Sequence, residues 1–159
     1  MRDKDIKITP SVIDRLIDME PKLSTEAPKS RSQSLSELKQ SVRRDIEWLL
    51  NSRNTKSEVP EGLEEVRKSL AVYGLPDFTG MSSKDVDDRK DLVESIEYAI
   101  RFFEPRIMKL KVILDETNIV QRGVRFKIQG VLRVEPTPEP IVFDTVLQTG
   151  NGEFEVTEK

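Results

Sequence analysis

The chain has 159 residues, of which 36% are hydrophobic and 35% are charged, a composition typical of one soluble domain with a charge-rich surface. Its 26 Lys and Arg residues stand against 29 Asp and Glu residues, so the net charge of −3 gives no overall attraction to nucleic acid or to an anionic membrane. Because the chain lacks both Cys and His, disulfides, thiol nucleophiles and imidazole bases are excluded, and a zinc site is disfavoured.

The N-terminus leads into no apolar segment, and no apolar run approaches the ~18 residues that a membrane-spanning helix needs. We therefore expect no signal peptide, no insertion into a membrane and a cytoplasmic location.

The first predicted helix begins at Thr9-Pro10, a capping hydroxyl followed by Pro at the first helical position, and ends before Pro21. Residues 21–33 are rich in Pro, Ser, Thr and Lys and are predicted to be a flexible linker. The chain is thus divided into an N-terminal docking helix with its linker, 1–33, and a main domain, 34–159. The helix carries an apolar stripe that packs either on its own domain or on a neighbouring subunit. This stripe consists of Val12, Ile13, Leu16 and Ile17.

A second helix is predicted over 35–51, behind a capping box formed by Ser34 and Glu37. Trp48 lies off its apolar stripe, so it is either a partly exposed residue at the edge of the core or an anchor for a partner. The stripe itself, expected to face the core, consists of Leu35, Leu38, Val42, Ile46, Leu49 and Leu50.

Two further helices are predicted before the strands. A short one starts at Pro60 and leads to a structural turn at 73–77, in which Tyr73 is also a possible interface residue. A longer one is capped by Ser82-Ser83 and ended by Pro105. Their apolar stripes are Leu63, Val66 and Leu70 in the first, and Val86, Leu92, Val93, Ile96, Ile100 and Phe103 in the second.

After Pro105 the apolar period changes from about 3.6 residues to 2, which predicts four strands. Their short connections indicate an antiparallel meander. The predicted fold class is therefore α+β, with N-terminal helices packed on one face of a mostly antiparallel four-stranded β-meander. The inward positions are Met108, Leu110, Val112 and Leu114; Val124, Phe126, Ile128, Gly130, Leu132 and Val134; Ile141, Phe143 and Leu147; and Phe154 and Val156.

The two halves of the predicted sheet carry opposite charge. Seven basic and three acidic residues give 106–135 a charge of +4, and one basic and five acidic residues give 136–159 a charge of −4. This pattern fits either cross-strand charge pairing on a solvated face or a basic surface that receives an acidic partner. An oligonucleotide face is disfavoured because the exposed positions lack aromatic residues that stack bases. The possible basic interface residues are Lys109, Lys111, Arg125 and Lys127.

Glu104-Pro105-Arg106 forms a stiff corner between the last helix and the first strand, because Pro105 fixes one backbone dihedral and disfavours helix at Glu104. The planar fork of Arg106 can bind a carboxylate through two hydrogen bonds. That carboxylate belongs either to this chain, as an internal ion pair, or to a partner.

An open sheet edge is a template for strand addition by another chain. The strand at 141–147 and the terminal strand at 153–157 are both candidates for this edge.

Five stretches of the chain, taken in order, resemble the TssE family of type VI secretion baseplate proteins, which is also called gpW-like or lysozyme-like. The most specific part is Tyr-Gly-Leu-Pro-Asp, followed by Glu-Pro-Arg and then by Arg-Val-Glu-Pro-Thr-Pro-Glu-Pro. A Ser- and Lys-rich stretch at 22–33 departs from the family pattern as a loop difference would. The five stretches are Ile8–Leu16, Ser41–Arg53, Tyr73–Gly80, Phe103–Arg106 and Leu132–Asp144.

The resemblance implies a structural wedge subunit in the cytoplasmic, membrane-docked baseplate. We expect no cofactor and no metal. Its expected partners are the baseplate subunits TssF, TssG and TssK and the sheath subunits TssB and TssC. Such a subunit presents a strand-rich surface on which the first sheath ring is templated. The resemblance also assigns Glu104, Pro105 and Arg106 to sheath docking.

The alternative function is a peptidoglycan-degrading glycosidase. Such an enzyme needs two carboxylates roughly 5–5.5 Å or 6.5–9.5 Å apart, one of them with a raised pKa. Glu104, beside Phe102 and Phe103, is the best candidate for the acid, but Arg106 nearby favours its charged form. We therefore expect no catalytic residues.

Overall fold

The computed structural model describes residues 8, 10–17, 21, 29–54, 59–78, 85–115, 123–148 and 151–158. Helices precede strands, and the four strands form one antiparallel sheet in the order β1-β2-β3-β4, which confirms the predicted α+β fold. None of the helices in these ranges is long and apolar enough to cross a membrane. The elements are α1 Val12–Leu16, α2 Arg31–Asn51, α3 Glu64–Arg67, a 3-10 helix Leu70–Val72, α4 Val86–Phe103, β1 Ile107–Leu114, β2 Gly123–Leu132, β3 Glu139–Gln148 and β4 Phe154–Glu158.

The core lies between the sheet and the two long helices. α2 packs against β4, α4 packs against β1, and the two helices contact each other. Along β2, β3 and β4 the buried residues alternate with more exposed ones, as in an antiparallel sheet with one covered face. The largest fully buried side chains include Ile46, Leu49, Leu50, Leu92, Ile96, Ile100, Phe126, Ile128 and Phe143.

The starts of the first two helices differ from the predictions. α1 is capped by Ser11, whose Oγ accepts a hydrogen bond from the Asp14 amide at 3.1 Å, so the predicted start at Thr9-Pro10 is wrong. α2 begins at Arg31 because Ser30 and Gln33 form the capping box, and Ser34 bonds back to the Ser30 carbonyl. The sequence contains two overlapping capping patterns, and the earlier one is used. Residues 22–28 of the predicted linker lie outside the described residues.

The predicted helix from Pro60 is also wrong in its start and its stripe. Gly62 has a φ of 88°, which lies in the left-handed region and prevents helix from running through it, so α3 begins at Glu64. Leu63 and Leu70 are exposed, and Val72 and Leu75 are buried instead. The predicted cap Ser82-Ser83 of α4 lies outside the described residues.

Asp85 caps α4, and its side chain accepts a hydrogen bond from the Asp87 amide at 2.9 Å. Val86, which was predicted to face the core, is exposed because it is the first residue of this helix. Leu92, Ile96 and Ile100 are buried as predicted. α4 ends at Phe103, before Pro105, as predicted.

β1 changes the phase of its alternation at a β-bulge. The register with β2 shifts between Met108 and Lys111, and Lys109 has a φ of 52°. Ile107 and Val112 are therefore the buried residues of this strand, and the prediction that Met108 is buried is wrong. Gly130 on β2 leaves room for Ile107, because a Cβ at this glycine would overlap Ile107 Cγ2.

Side chains of α2 occupy the outer edge of β4. Asn51 bonds both the amide and the carbonyl of Phe154, at 2.8 and 2.9 Å. Glu47 accepts from the Val156 amide at 3.3 Å, and Arg43 donates to the Val156 carbonyl at 3.0 Å. β3 is a central strand, so the prediction that 141–147 is an open edge is wrong, and the edge of the terminal strand is already filled at these two residues.

Asn51→Ala is expected to lower the free energy of unfolding by about 2 kcal/mol, because it leaves the edge amide and carbonyl of Phe154 without their partner. Urea denaturation of the purified protein measures this change. Gln40→Ala, which removes an exposed amide from the same helix, is the control and is expected to stay within about 0.5 kcal/mol of the parent. Equal stability of the two variants would show that α2 does not hold the β4 edge.

Candidate functional site

The candidate site is the corner between α4 and β1. The Glu104 amide still bonds the Ile100 carbonyl at 2.8 Å, and the Ile107 amide, which opens β1, bonds the Glu104 carbonyl at 3.1 Å. Between these bonds Pro105 has no amide to donate and disfavours helical backbone at Glu104. The corner is therefore tight, with Glu104 turned inward and Pro105 exposed.

Arg106 forms a bidentate ion pair with the carboxylate of Glu104. Its Nε donates to Glu104 Oε1 at 2.6 Å, and its Nη2 donates to Oε2 of the same carboxylate. Glu104 is only 4% exposed, so the hydrogen bonds from Arg106 take the place of water around this buried charge. The sequence left two roles open for Arg106, an internal ion pair or a contact with a partner. The structure shows the internal ion pair.

The ion pair extends into α2 and α1 through a chain of polar contacts, which we call the corner network: Asp14, Ser41, Arg44, Asp45, Glu104 and Arg106. Arg106 Nη2 also donates to Asp45 Oδ2, and Asp45 Oδ1 accepts from Arg44 at 3.0 Å. Arg44 in turn contacts Asp14 of α1 at 2.9 Å. The Ser41 hydroxyl donates to Asp14 at 2.6 Å and lies 3.3 Å from Arg106 Nη1.

Protonation in the corner network follows from these contacts. The pKa of Arg106 is raised, mainly by its hydrogen bonds to Glu104, which outweigh the opposing effect of burial. Burial lowers the pKa of Arg44, but the hydrogen bonds to Asp14 and Asp45, with the charges of these residues, have a larger effect in the opposite direction. The net result is a raised pKa. Both guanidinium groups are therefore charged at every pH at which the protein is folded.

Asp14 is the most perturbed carboxylate of the network. Burial alone raises its pKa, but hydrogen bonds from Ser11, Ser41 and Arg44 outweigh burial and lower it from 3.8 to about 2. Because the pKa of Asp14 is lower in the folded protein than in the unfolded chain, the ionised carboxylate favours folding; this contribution is present above pH ~4 and is lost as the pH falls toward 2.

Aromatic side chains surround the corner. A cleft of about 480 Å³ is lined by Val12 and Ile13 of α1, by Trp48 of α2, and by Tyr73 and the corner itself. Tyr73 meets Phe103 edge to face, with ring centroids 5.1 Å apart. Burial raises the pKa of Tyr73, and the charges of Asp45 and Glu104 raise it further, so its hydroxyl is neutral at physiological pH.

The structure brings together some of the predicted site residues. Trp48, Tyr73 and the Glu104-Pro105-Arg106 corner share the cleft, and the Arg44 guanidinium stacks 5.1 Å from the centre of the Trp48 ring. Of the α1 stripe, Val12 and Ile13 lie at the same cleft, whereas Leu16 and Ile17 do not line it. All four residues of this stripe are exposed in the chain.

The predicted basic residues do not line this cleft. Lys109 and Lys111 are exposed on β1, at the bulge, and Arg125 is exposed on β2. Lys127 lies directly opposite Asp144 in the β2–β3 register, which favours the interpretation of cross-strand charge pairing at that position.

Sequence reasoning missed Asp14, Ser41, Arg44 and Asp45 as members of the site. The available signal was the spacing of Ser41 and Asp45, which places two polar residues one turn apart beside the apolar stripe of α2. Within the described ranges, no group of three or more Asp or Glu side chains converges as ligands of a metal ion would.

Comparison with known proteins gives one family and one group of relatives. The family model described as baseplate wedge protein gp25 matches residues 36–137, which run from α2 through the corner and β2. The anti-adapter protein IraD of three Escherichia coli strains is 26% identical over 133 residues. That alignment covers 84% of this chain and 94% of each relative.

Arg106→Ala is expected to lower the free energy of unfolding by about 3 kcal/mol, because it leaves the buried carboxylate of Glu104 without its cation. Thermal or urea denaturation measures the loss. The double variant Glu104→Gln with Arg106→Ala is expected to recover part of it, since it removes the buried charge as well. If the double variant is no more stable than the single one, the buried carboxylate is not what Arg106 stabilises.

Proposed function

Because the chain belongs to the baseplate wedge protein gp25 family, whose description supports a structural role in a baseplate, we propose that it is a type VI secretion baseplate subunit that docks on other baseplate proteins and templates the contractile sheath. One observation carries this proposal: the family match covers most of α2, the corner, β1 and β2 as one continuous stretch. The Tyr-Gly-Leu-Pro-Asp and Glu-Pro-Arg motifs both lie within it.

The proposed partners are TssF, TssG and TssK within the wedge and the sheath subunits TssB and TssC above it. The proposed place of action is the cytoplasmic face of the membrane-docked baseplate. In this proposal 1–33 serves as the docking segment and 34–159 as the baseplate domain. In the same proposal the Glu104-Pro105-Arg106 corner receives the sheath, with Pro105 and Arg106 at the surface and the buried Glu104 holding Arg106 in place.

The geometry of the sheet favours β1 as the edge on which a sheath strand is added. In an antiparallel pair every second residue points its backbone amide and carbonyl toward the neighbouring strand. The Asp115 amide bonds the Arg125 carbonyl of β2 at 2.9 Å, so Ile113 and Lys111 also face β2. The backbone amides and carbonyls of Leu110, Val112 and Leu114 therefore point away from the sheet. Among the described residues, Glu97 of α4 reaches this edge only at the Val112 amide, at 2.9 Å.

Two further features support β1 over β4. β1 begins at the residue after Arg106, so a strand added there lies beside the corner. The exposed Lys109 and Lys111 discourage indiscriminate pairing and complement an acidic partner strand. By contrast, Arg43, Glu47 and Asn51 would have to leave the β4 edge before another strand joined it.

A glycosidase function is disfavoured by the same geometry. The best candidate acid, Glu104, accepts two hydrogen bonds from Arg106, one from Nε and one from Nη2. The Nη2 nitrogen also donates to Asp45. Both oxygens of the Glu104 carboxylate are therefore bonded within the chain, whereas a general acid must face the substrate. The family description is structural, and the name anti-adapter also denotes action on another protein, so both comparisons favour a binding role.

Leu114→Pro is expected to reduce the frequency of sheaths by more than tenfold, because Pro lacks the outward amide that an added strand would bond. Fluorescent TssB measures sheath assembly in cells that carry the variant in place of the parent. Glu158→Pro is the matched control, since it removes an outward amide from β4, and normal sheaths are expected there. Circular dichroism and copurification with TssF and TssG check that both variants fold and join the wedge.

Normal sheath frequency with Leu114→Pro would contradict β1 as the template. Failure of the parent protein to copurify with any baseplate subunit, or its hydrolysis of peptidoglycan, would contradict the proposed function itself. Arg106→Lys is a better probe of the corner than Arg106→Ala in these cells, because it retains a cation beside the buried Glu104.

A further inference from the structure

α1 is attached to the domain by a polar anchor. None of its residues is buried, and its apolar side chains remain about half or more exposed. Asp14 instead reaches two side chains of α2, with contacts of 2.6 Å to the Ser41 hydroxyl and 2.9 Å to the Arg44 guanidinium. An element held by so little apolar burial and a few hydrogen bonds detaches more easily than a core helix does.

α1 also stands directly beside the corner. Val12 and Ile13 line the cleft whose other walls include Trp48, Pro105 and Arg106. A partner segment that approached Arg106 along this cleft would meet α1. The helix therefore restricts access to the side of the corner on which the aromatic side chains lie.

The anchor of α1 and the corner use the same polar groups. The Ser41 hydroxyl serves both Asp14 and Arg106, and Arg44 is shared between Asp14 and Asp45. Asp45 is in turn shared between Arg44 and Arg106. If Arg106 binds a different carboxylate, Asp45 becomes available to Arg44. Arg44 then binds Asp45 more strongly and Asp14 less strongly.

We propose that α1 is an autoinhibitory clasp over the Glu104-Pro105-Arg106 corner, released when a carboxylate of the docking partner engages Arg106. The incoming carboxylate competes with Asp45, Asp45 turns to Arg44, and Arg44 loosens its hold on Asp14. Release opens the aromatic cleft to an apolar side chain next to that carboxylate. This inference rests on the proposed function, which makes the corner a docking site. By linkage, attached α1 weakens docking by the same factor as docking weakens the attachment of α1.

The clasp is tested first in the isolated protein by amide exchange within α1. The amides of Arg15 and Ile17 bond the carbonyls of Ser11 and Ile13 at 3.0 and 3.1 Å, so their exchange reports on this helix. Asp14→Asn and Ser41→Ala are each expected to raise exchange at least about tenfold, because each removes one end of the anchor.

The double variant is expected to exchange no faster than Asp14→Asn alone, since the bond from Ser41 to α1 runs through Asp14. Glu94→Gln, which removes one exposed negative charge from α4, is the control and is expected to leave α1 unchanged. Unchanged protection of the β2 amides shows that the variants remain folded. Slow exchange of the α1 amides in Asp14→Asn would overturn the clasp.

Arg106→Lys tests the coupling, because no contact joins Arg106 to Asp14 directly in the corner network. Lysine does not hold Ser41, Asp45 and Glu104 with one planar fork, so Asp45 is released toward Arg44. Exchange in α1 is expected to rise a few-fold. An increase with Asp14→Asn but none with Arg106→Lys would mean that α1 is attached but not coupled to the corner, which contradicts the proposal.

Binding of the purified TssB/TssC sheath subunits provides the second arm. Asp14→Asn is expected to bind them about tenfold more tightly than the parent, because the competing attached state is depopulated. Equal affinities would overturn the clasp even if α1 is mobile in the variant. Absence of binding by both proteins would contradict the proposed function, and the exchange measurements alone would then decide whether α1 is coupled to the corner.

Discussion

The buried carboxylate of Glu104 constrains much of this fold. A carboxylate that is 4% exposed is stable only with a cation bonded to it, and Arg106 reaches it because Pro105 turns the chain tightly enough for the two side chains to meet. The same turn aims β1 away from the end of α4 and starts the sheet at Ile107. The remaining donors of Arg106 then bind Asp45 and approach Ser41, which ties the corner to α2.

Three sides of α2 make three different sets of contacts. Its apolar side supplies the core, and Asn51 with its neighbours one and two turns earlier fills the β4 edge. A third side carries Ser41, Arg44 and Asp45 to the corner and to α1. A helix with this many charges is ordinarily expected to expose them, but here most of the charged side chains have partners within the chain. The consequence is that the β4 edge of the sheet is closed by side chains of its own domain.

Periodicity predicted the parts of the fold that depend on burial. The core stripe of α2 and the inward positions of β2, β3 and β4 followed from apolar spacing, and the end of α4 followed from Pro105. The errors came from local backbone chemistry that competes with periodicity: the earlier capping box at Ser30, the positive φ of Gly62 and the bulge at Lys109. Of the site, the stiff corner was predictable from Pro105, but the corner network was not, because its members come from three separated segments. The choice between β1 and β4 as the open edge likewise depends on contacts over about a hundred residues, such as that between Asn51 and Phe154.

In the proposed docking role, an arginine held in a buried ion pair has a physical advantage over a free surface arginine. Arg106 is held by Glu104 and Asp45 before any partner arrives, so little side-chain entropy is lost when a partner carboxylate joins it. The two bonds also limit the affinity for a partner carboxylate, because it must compete with Glu104 and Asp45 for Arg106. Binding at such a corner therefore favours a partner that brings additional contacts, such as main-chain hydrogen bonds along β1 and an apolar side chain for the cleft beside Trp48 and Tyr73. Selectivity then comes from the combination, since a lone acidic side chain would gain too little to displace Asp45.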